Sequence, residues 1–254
     1  MTQLVLGIDV GGSSVKAGAV DLAAGRLIGE LISAPTPRPS APPQLVQTIA
    51  GLAARLPATA GAAVGVAFPS VVKNGIVRTA ANIDRSWLGA DGAALVAQVL
   101  GRRAVFLNDA DAAGIAEMRW GAGRGVLGPV VMLTFGTGIG SALFIEGRLF
   151  PNTELGHIEL KGTEAEKWAS AHVRTQLALD FPAWIGRVNE YLAYMHALLW
   201  PDLFILGGAV SERFDEFAPL LRSPAEIRPA HFAGQAGVIG AALVAAETPV
   251  LASA

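Results

Sequence analysis

A short apolar strand, a glycine-rich turn and a second apolar strand occur twice in this chain, and that repetition constrains the fold more than any other feature. Leu4 to Ile8 runs into Asp9-Val10-Gly11-Gly12-Ser13-Ser14 and then Val15 to Val20. Val130 to Phe135 runs into Gly136-Thr137-Gly138-Ile139-Gly140-Ser141 and then Ala142 to Ile145. Each segment predicts a β-hairpin with a polar, glycine-rich tip. Even the turns that follow correspond, Gly25-Arg26-Leu27 with Gly147-Arg148-Leu149. The spacing implies an internal duplication: two similar lobes, each presenting a glycine tip toward a shared cleft.

The intervening segments set the fold class. Arg26 to Ile32 predicts a strand, and the proline-rich stretch Pro35 to Pro43 a loop. Leu45, Ile49, Leu52 and Leu56 then fall on one face of a helix. Strands at Ala63 to Ala67 and Ala104 to Leu107 flank a helix at Asp91 to Leu100. Strand and helix alternate, so the class is α/β. After the second hairpin come a helix at Arg187 to Trp200, a strand at Leu203 to Leu206, the Gly207-Gly208 turn, a helix starting near Ser211 and a last apolar helix at Gln235 to Glu247. The expected division is a small N-terminal lobe, residues 1–109, joined by the C-terminal helix 235–248, and a larger lobe, residues 110–234.

Composition narrows the function. At 254 residues and 52% hydrophobic, the chain can bury a large core. Its net charge of −2 comes from acidic and basic residues interspersed along the sequence. The basic stripe that grips polymeric nucleic acid is therefore missing, and DNA or RNA is excluded as an expected partner. Absence of cysteine removes disulfides and thiolate metal sites and fits a reducing compartment. MTQLVLGIDVGG lacks the basic start and cleavage site of a secretory signal, so the expected location is cytoplasmic. No charge occurs between Arg124 and Glu146, a stretch long enough to span a bilayer, but its glycines point to strand, turn and strand, with no membrane association. Monomer and homodimer are both compatible with the sequence.

Four segments carry chemistry. In Asp9-Val10-Gly11-Gly12-Ser13-Ser14-Val15-Lys16, backbone N–H groups can form an anion-binding nest beside a carboxylate able to hold hydrated Mg²⁺. A tight hairpin needing positive φ would equally explain the two glycines. Thr137, Gly138 and Gly140 repeat the arrangement, and the duplication favours phosphate binding at both tips. Asn108-Asp109 ends a strand, where an open α/β sheet holds its ligand, although Asp109 or Asp111 could instead cap the following helix. Glu154-Leu155-Gly156-His157-Ile158-Glu159 could ligate a metal, bind a polyol or form a solvated loop. Two tempting matches fail. Gly123-Arg124-Gly125-Val126-Leu127-Gly128 precedes a strand instead of opening a helix, which excludes a dinucleotide site, and the P-loop pattern is absent.

These segments, in this order and spacing, resemble the ROK family of bacterial sugar kinases and repressors over nearly the whole chain. Thr79-Ala80-Ala81-Asn82-Ile83-Asp84, Ser86-Trp87, Pro151 to His157 and Pro201 to Gly208 look most like its polyphosphate glucokinase branch, including the type that uses ATP as well as polyphosphate and mannose as well as glucose. The resemblance implies an actin-like (ribonuclease H-like) two-lobed fold with a central cleft and transfer of a phosphoryl group to a hexose 6-hydroxyl. Asp109 would be the general base, and Ser70, Asn82, Asn108, Glu154, His157 and Glu166 would hold the sugar. Asp9, Gly11, Gly12, Ser13, Ser14, Lys16, Thr137, Gly138, Gly140, Gly207 and Gly208 would serve the phosphoryl donor, with Asp9 near Mg²⁺ and with Lys161 and Lys167 as further candidates along a polyphosphate path.

Typical members carry a cysteine-rich zinc knuckle after the E-x-G-H motif. Lys161 to Trp168 stands there in this chain, so no zinc is expected. A repressor of the same family would need a helix-turn-helix ahead of the first hairpin, where only three residues precede Leu4. An ATP-only kinase for another hexose or an N-acyl amino sugar, and a sugar-binding module without catalysis, are the remaining alternatives.

Overall fold

Near-continuous runs of apolar residues suit strands covered on both faces, and the central strands of this protein have that character. The computed structural model describes residues 4–249. The first hairpin is β1 (Leu4–Val10) and β2 (Ser14–Asp21), followed by β3 (Arg26–Pro35) and α1 (Pro42–Ala54). Next come β4 (Val64–Phe68), the short pair β5 (Val72–Lys73) and β6 (Ile76–Val77), α2 (Gly92–Leu100), β7 (Ala104–Asn108) and α3 (Asp109–Trp120). The first sheet has the order β3-β2-β1-β4-β7, antiparallel across the hairpin and parallel from β1 through β7.

The second hairpin is β8 (Val130–Phe135) and β9 (Ile139–Ile145), continued by β10 (Arg148–Phe150), the small pair β11 (Glu159–Leu160) and β12 (Thr163–Glu164), and α4 (Ala165–Ala169). Then follow α5 (Ala171–Gln176), α6 (Phe181–Leu199), β13 (Leu203–Gly207), α7 (Phe214–Phe217) and β14 (Glu226–Pro229). Their sheet, β10-β9-β8-β13-β14, repeats the layout of the first. The chain ends its described part with α8 (Ala236–Glu247). Two compact units result, one running through Ala116 and resuming at Gln235, the other Glu117–Gly234. The uncharged stretch forms turns, β8 and β9, and among the described residues no helix is long and apolar enough to cross a membrane.

In the first unit Leu6, Ile8, Leu45, Ile49, Val66, Phe68, Trp87 and Phe106 share one core. Its other face is built on glycine. Gly7 is paired with Gly18 on one side and Gly65 on the other, a row of three across β2, β1 and β4. Helix α8, apolar on all sides and therefore destined for burial, sinks into the trough they leave. A Cβ on Gly7 would lie 1.9 Å from the Val238 carbonyl oxygen, and one on Gly65 would lie 1.8 Å from that of Ala241. Helix backbone thus rests on sheet backbone, an approach that any side chain would prevent.

The second unit packs α6 over its sheet through Trp184, Ile185, Val188, Tyr191 and Leu192 against Leu133, Phe135, Phe204 and Leu206. This helix begins six residues before the expected Arg187. Asp180 caps it by accepting from the Ala183 N–H (2.9 Å), and Pro182 sits in its first turn, where no N–H is required. The helix expected from Ser211 is instead a 3-10 segment, Ala209–Arg213, followed by the single turn of α7.

Candidate active site

Asp9 lies near the end of β1, beside Ala67 of β4 and opposite Lys16 of β2. Its carboxylate lies against Gly237, where an added Cβ would come within 2.9 Å of Asp9 Cγ. Burial pushes this carboxyl above the usual carboxylate range, and the Lys16 charge pulls part of the way back. At the tip, the Gly11 N–H closes onto the Ser14 carbonyl (3.0 Å) and the Thr36 hydroxyl donates to the Gly11 carbonyl (2.6 Å). An anion here would therefore be met at the exposed Gly12–Ser13 end. The positive-φ explanation for these glycines fails, because neither Gly11 nor Gly12 has positive φ. A Cβ on Gly12 would meet nothing within 4 Å, so the residue leaves space instead of relieving strain.

Ser70, Asn108 and Asp109 come together at the carboxyl ends of β4 and β7. The Asn108 amide donates to the Ser70 carbonyl (3.2 Å), and its oxygen accepts from the Asp111 N–H (3.0 Å). The side chain capping α3 is thus Asn108, whereas the sequence had offered Asp109 or Asp111. Half-buried Asp109 accepts from the Ala110 N–H (2.8 Å) and sits in the first turn of the helix, where the dipole favours negative charge. The Ser70 hydroxyl is buried, at 4% exposure, with no hydrogen-bond partner among the described residues, which is costly unless a ligand supplies one.

Asn82 is exposed on the loop leading to Trp87. That loop is fixed by Trp87, fully buried against Phe68 and Phe106, whose indole N–H donates to the Ser40 carbonyl (2.8 Å). Asp84 caps the turn through the Ser86 N–H (2.9 Å), and its bonds to Ser86 hold its carboxyl below the ordinary range.

In the second unit Thr137 is exposed at the tip of the duplicate hairpin, with Gly138 and Gly140 half-buried beside it. Gly207 pairs with Thr134, and Gly208, at φ +86°, would press a Cβ to 2.3 Å from the Phe135 carbonyl oxygen. The Gly207-Gly208 turn is therefore seated at the base of that tip. The motif Glu154 to His157 is bolted to the same hairpin by Ser141, whose buried hydroxyl bonds to Thr153 and accepts from the Leu155 N–H (3.0 Å). Gly156 packs so closely that a Cβ would sit 2.2 Å from the Ile139 carbonyl oxygen. Sequence reading passed over Ser141 as an anchor, although a serine directly after a glycine turn was visible.

The imidazole of His157 lies 3.4 Å from Glu154 Oε2, 3.9 Å from Glu164 Oε1 and 3.9 Å from Glu166 Oε1. Burial raises the Glu154 carboxyl, with His157 opposing and Glu166 reinforcing the shift. Among the described residues, His157, Glu164 and Glu166 bring possible ligand atoms within 4.8 Å of one another, although exposed acids commonly gather in this way. The two candidate lysines are paired at the surface, Lys161 with Glu190 (3.4 Å) and Lys167 with Glu164 (2.9 Å).

The sequence profile of the ROK family matches residues 5–172. A polyphosphate glucokinase of Mycobacterium tuberculosis (strain CDC 1551 / Oshkosh) is 46% identical over 242 residues, covering 93% of this chain and 89% of that protein. The crystal structure of the inorganic polyphosphate/ATP-glucomannokinase from Arthrobacter sp. strain KM superposes with a TM-score of 0.93 at 44% identity, covering 96% of this chain and 98% of that one. A ROK family glucokinase from Streptomyces griseus, in complex with glucose and AMPPNP, gives 0.80 at 26% identity, with 95% and 98% covered.

Proposed function

The chain belongs to the ROK family, with the actin-like fold of its sugar kinases, and we propose that it phosphorylates glucose at the 6-hydroxyl, drawing the phosphoryl group from inorganic polyphosphate or ATP. Mannose is part of the proposal as a second acceptor, supported by similarity to the Arthrobacter glucomannokinase. We assign the activity to the cytoplasm. The geometric observation that carries the reading is the grouping of a buried, unpartnered Ser70 hydroxyl with Asn108 and the half-buried Asp109 at the carboxyl ends of two parallel strands.

Asp109 would take the proton from the sugar hydroxyl as that oxygen attacks the terminal phosphoryl. Ser70, Asn82, Asn108, Glu154 and His157 would hold the other hydroxyls as neutral or charged hydrogen-bonding groups. The amides around Gly12 and Thr137–Gly140, with Gly207 and Gly208, would receive the phosphate chain. A single half-buried carboxylate beside an open glycine turn fits an ion bound mainly through water and phosphate oxygens, so Asp9 would hold Mg²⁺. When bound, the ion neutralises charge on the phosphoryl oxygens, while the protein supplies alignment.

The test offers purified protein glucose, mannose, fructose and N-acetylmannosamine, each with ATP or polyphosphate and Mg²⁺, and measures sugar 6-phosphate. Product from glucose with both donors is expected. Product with ATP alone removes polyphosphate, and product from N-acetylmannosamine but not glucose favours the amino-sugar alternative.

Glu154 adds a pH signature. A carboxyl raised by burial stays protonated to higher pH than an ordinary glutamate, and the protonated form accepts sugar hydroxyls less well. The kcat/KM for glucose is therefore expected to fall, as pH is lowered, with a limb centred above the ordinary glutamate pKa of about 4.3. Glu154→Gln should abolish that limb; a profile unchanged by the substitution would separate Glu154 from sugar binding.

A further inference from the structure

The proline-rich segment after β3 has no part in the phosphoryl transfer described above, yet one of its residues grips the first glycine tip. The Thr36 hydroxyl donates to the Gly11 carbonyl (2.6 Å), and the Thr36 backbone N–H donates to the Ser13 carbonyl (3.1 Å). The Ser14 carbonyl is taken as well, by the Gly11 N–H (3.0 Å). Thr36 is 8% exposed and stands between Pro35, which pairs with Ser14 at the end of β3, and Pro37. A residue ahead of proline is held to extended backbone, so Thr36 has little freedom to turn its two donors elsewhere. Farther along, the Ser40 carbonyl accepts from the Trp87 indole and the Ser40 hydroxyl accepts from the Asp84 N–H (3.2 Å), which fixes the other end of the segment.

A planar trans peptide points its N–H opposite to its carbonyl. The Gly11–Gly12 and Ser13–Ser14 peptide units are both trans. With the Gly11 and Ser13 carbonyls drawn to Thr36, the Gly12 and Ser14 N–H groups are turned to the face of the tip away from it. Carbonyl oxygens repel phosphate oxygens and N–H groups attract them, so a tip biased in this way suits a polyanion. We propose that Thr36 is a positioning residue of the donor site, aiming the Gly12 and Ser14 amides at the phosphate chain without touching it. The inference rests on the assignment of the phosphoryl donor to this tip. Since Thr36 acts only on backbone that meets phosphate, its effect is the same for ATP and for polyphosphate.

The experiment measures kcat and the KM of glucose, ATP and polyphosphate, with melting temperature alongside, and follows the Gly12 and Ser14 amide resonances of isotope-labelled protein as inorganic tripolyphosphate is added. Thr36→Val keeps the shape of the side chain and loses the hydroxyl. The KM of both donors should rise by about 5- to 20-fold, the effect of leaving one carbonyl without its hydrogen bond. Loss of donor binding alone should leave kcat and the KM of glucose within about 3-fold of wild type. Melting temperature should fall by no more than about 4 °C. Tripolyphosphate should move both resonances in the wild type and move them less in Thr36→Val. Thr36→Ser restores the hydroxyl and should return both donor KM values to within about 3-fold of wild type.

A Thr36→Val variant whose donor KM values stay at those of the wild type overturns the proposal. So does one in which the KM of glucose rises as much as that of the donors, the mark of a general loosening, or a donor KM that Thr36→Ser fails to restore. Wild-type protein that phosphorylates glucose while tripolyphosphate leaves both resonances unmoved fails the assignment of the donor to this tip. That result is distinct from the others and takes the proposal with it.

Discussion

Asp109→Asn is expected to melt with the wild-type protein and to bind glucose, yet to turn over about 10²- to 10⁴-fold more slowly, the usual contribution of a positioned general base. That loss corresponds to about 3 to 5 kcal/mol of barrier. The asparagine oxygen can still accept from the Ala110 N–H, and the cap of α3 belongs to Asn108, so the substitution leaves the helix start intact. What it removes is the capacity to receive a proton. Calorimetry of glucose binding beside a steady-state assay separates the two roles, and a variant with normal kcat would take Asp109 out of the mechanism.

The second large effect lies in the fold. Gly65→Ala is expected to cost about 3 kcal/mol or more, at or beyond the upper end of ordinary overpacking. The new methyl would sit 1.8 Å from the Ala241 carbonyl oxygen, and neither β4 nor α8 can yield without moving backbone. Melting temperature should fall by about 10 °C, or the chain should fail to accumulate as folded protein. Gly51→Ala is the matched control. It lies within α1 with nothing within 4 Å of the added Cβ, and should gain about 0.5 to 1 kcal/mol by favouring helix. Equal melting of Gly65→Ala and wild type would mean that α8 is not seated in the trough.

Much of the architecture was legible because its signals are local. A glycine turn between two apolar runs announces a hairpin wherever it occurs, and finding it twice gave the duplication. The four segments expected to carry chemistry were equally local, three of them short runs of polar groups around glycine and the fourth, Asn108-Asp109, the end of a strand. What the sequence hid were partners distant along the chain. Strand glycines such as Gly7 and Gly65 announce that something comes close, but Val238 and Ala241 lie far along the chain, with no local pattern to connect them. The choice between Asn108 and Asp109 as helix cap turned on one residue of register, and both side chains suit the role. Glu166 and Ile139 meet across 27 steps of chain, by way of β9 and the small β11–β12 pair. The early start of α6 was hidden by Pro182, a residue that breaks helices except at the position it occupies.

The seat of α8 also sets an order of events during synthesis. The unit begun by the N-terminal hairpin has its trough filled only by residues 236–247, whereas the other unit is contiguous and complete at Gly234. On the ribosome, the first half of the polypeptide must wait with its glycine-lined surface uncovered while the second half is made and can fold. Closure comes last, from the far end of the chain, and the long sequence separation of those contacts makes that final step the slow one.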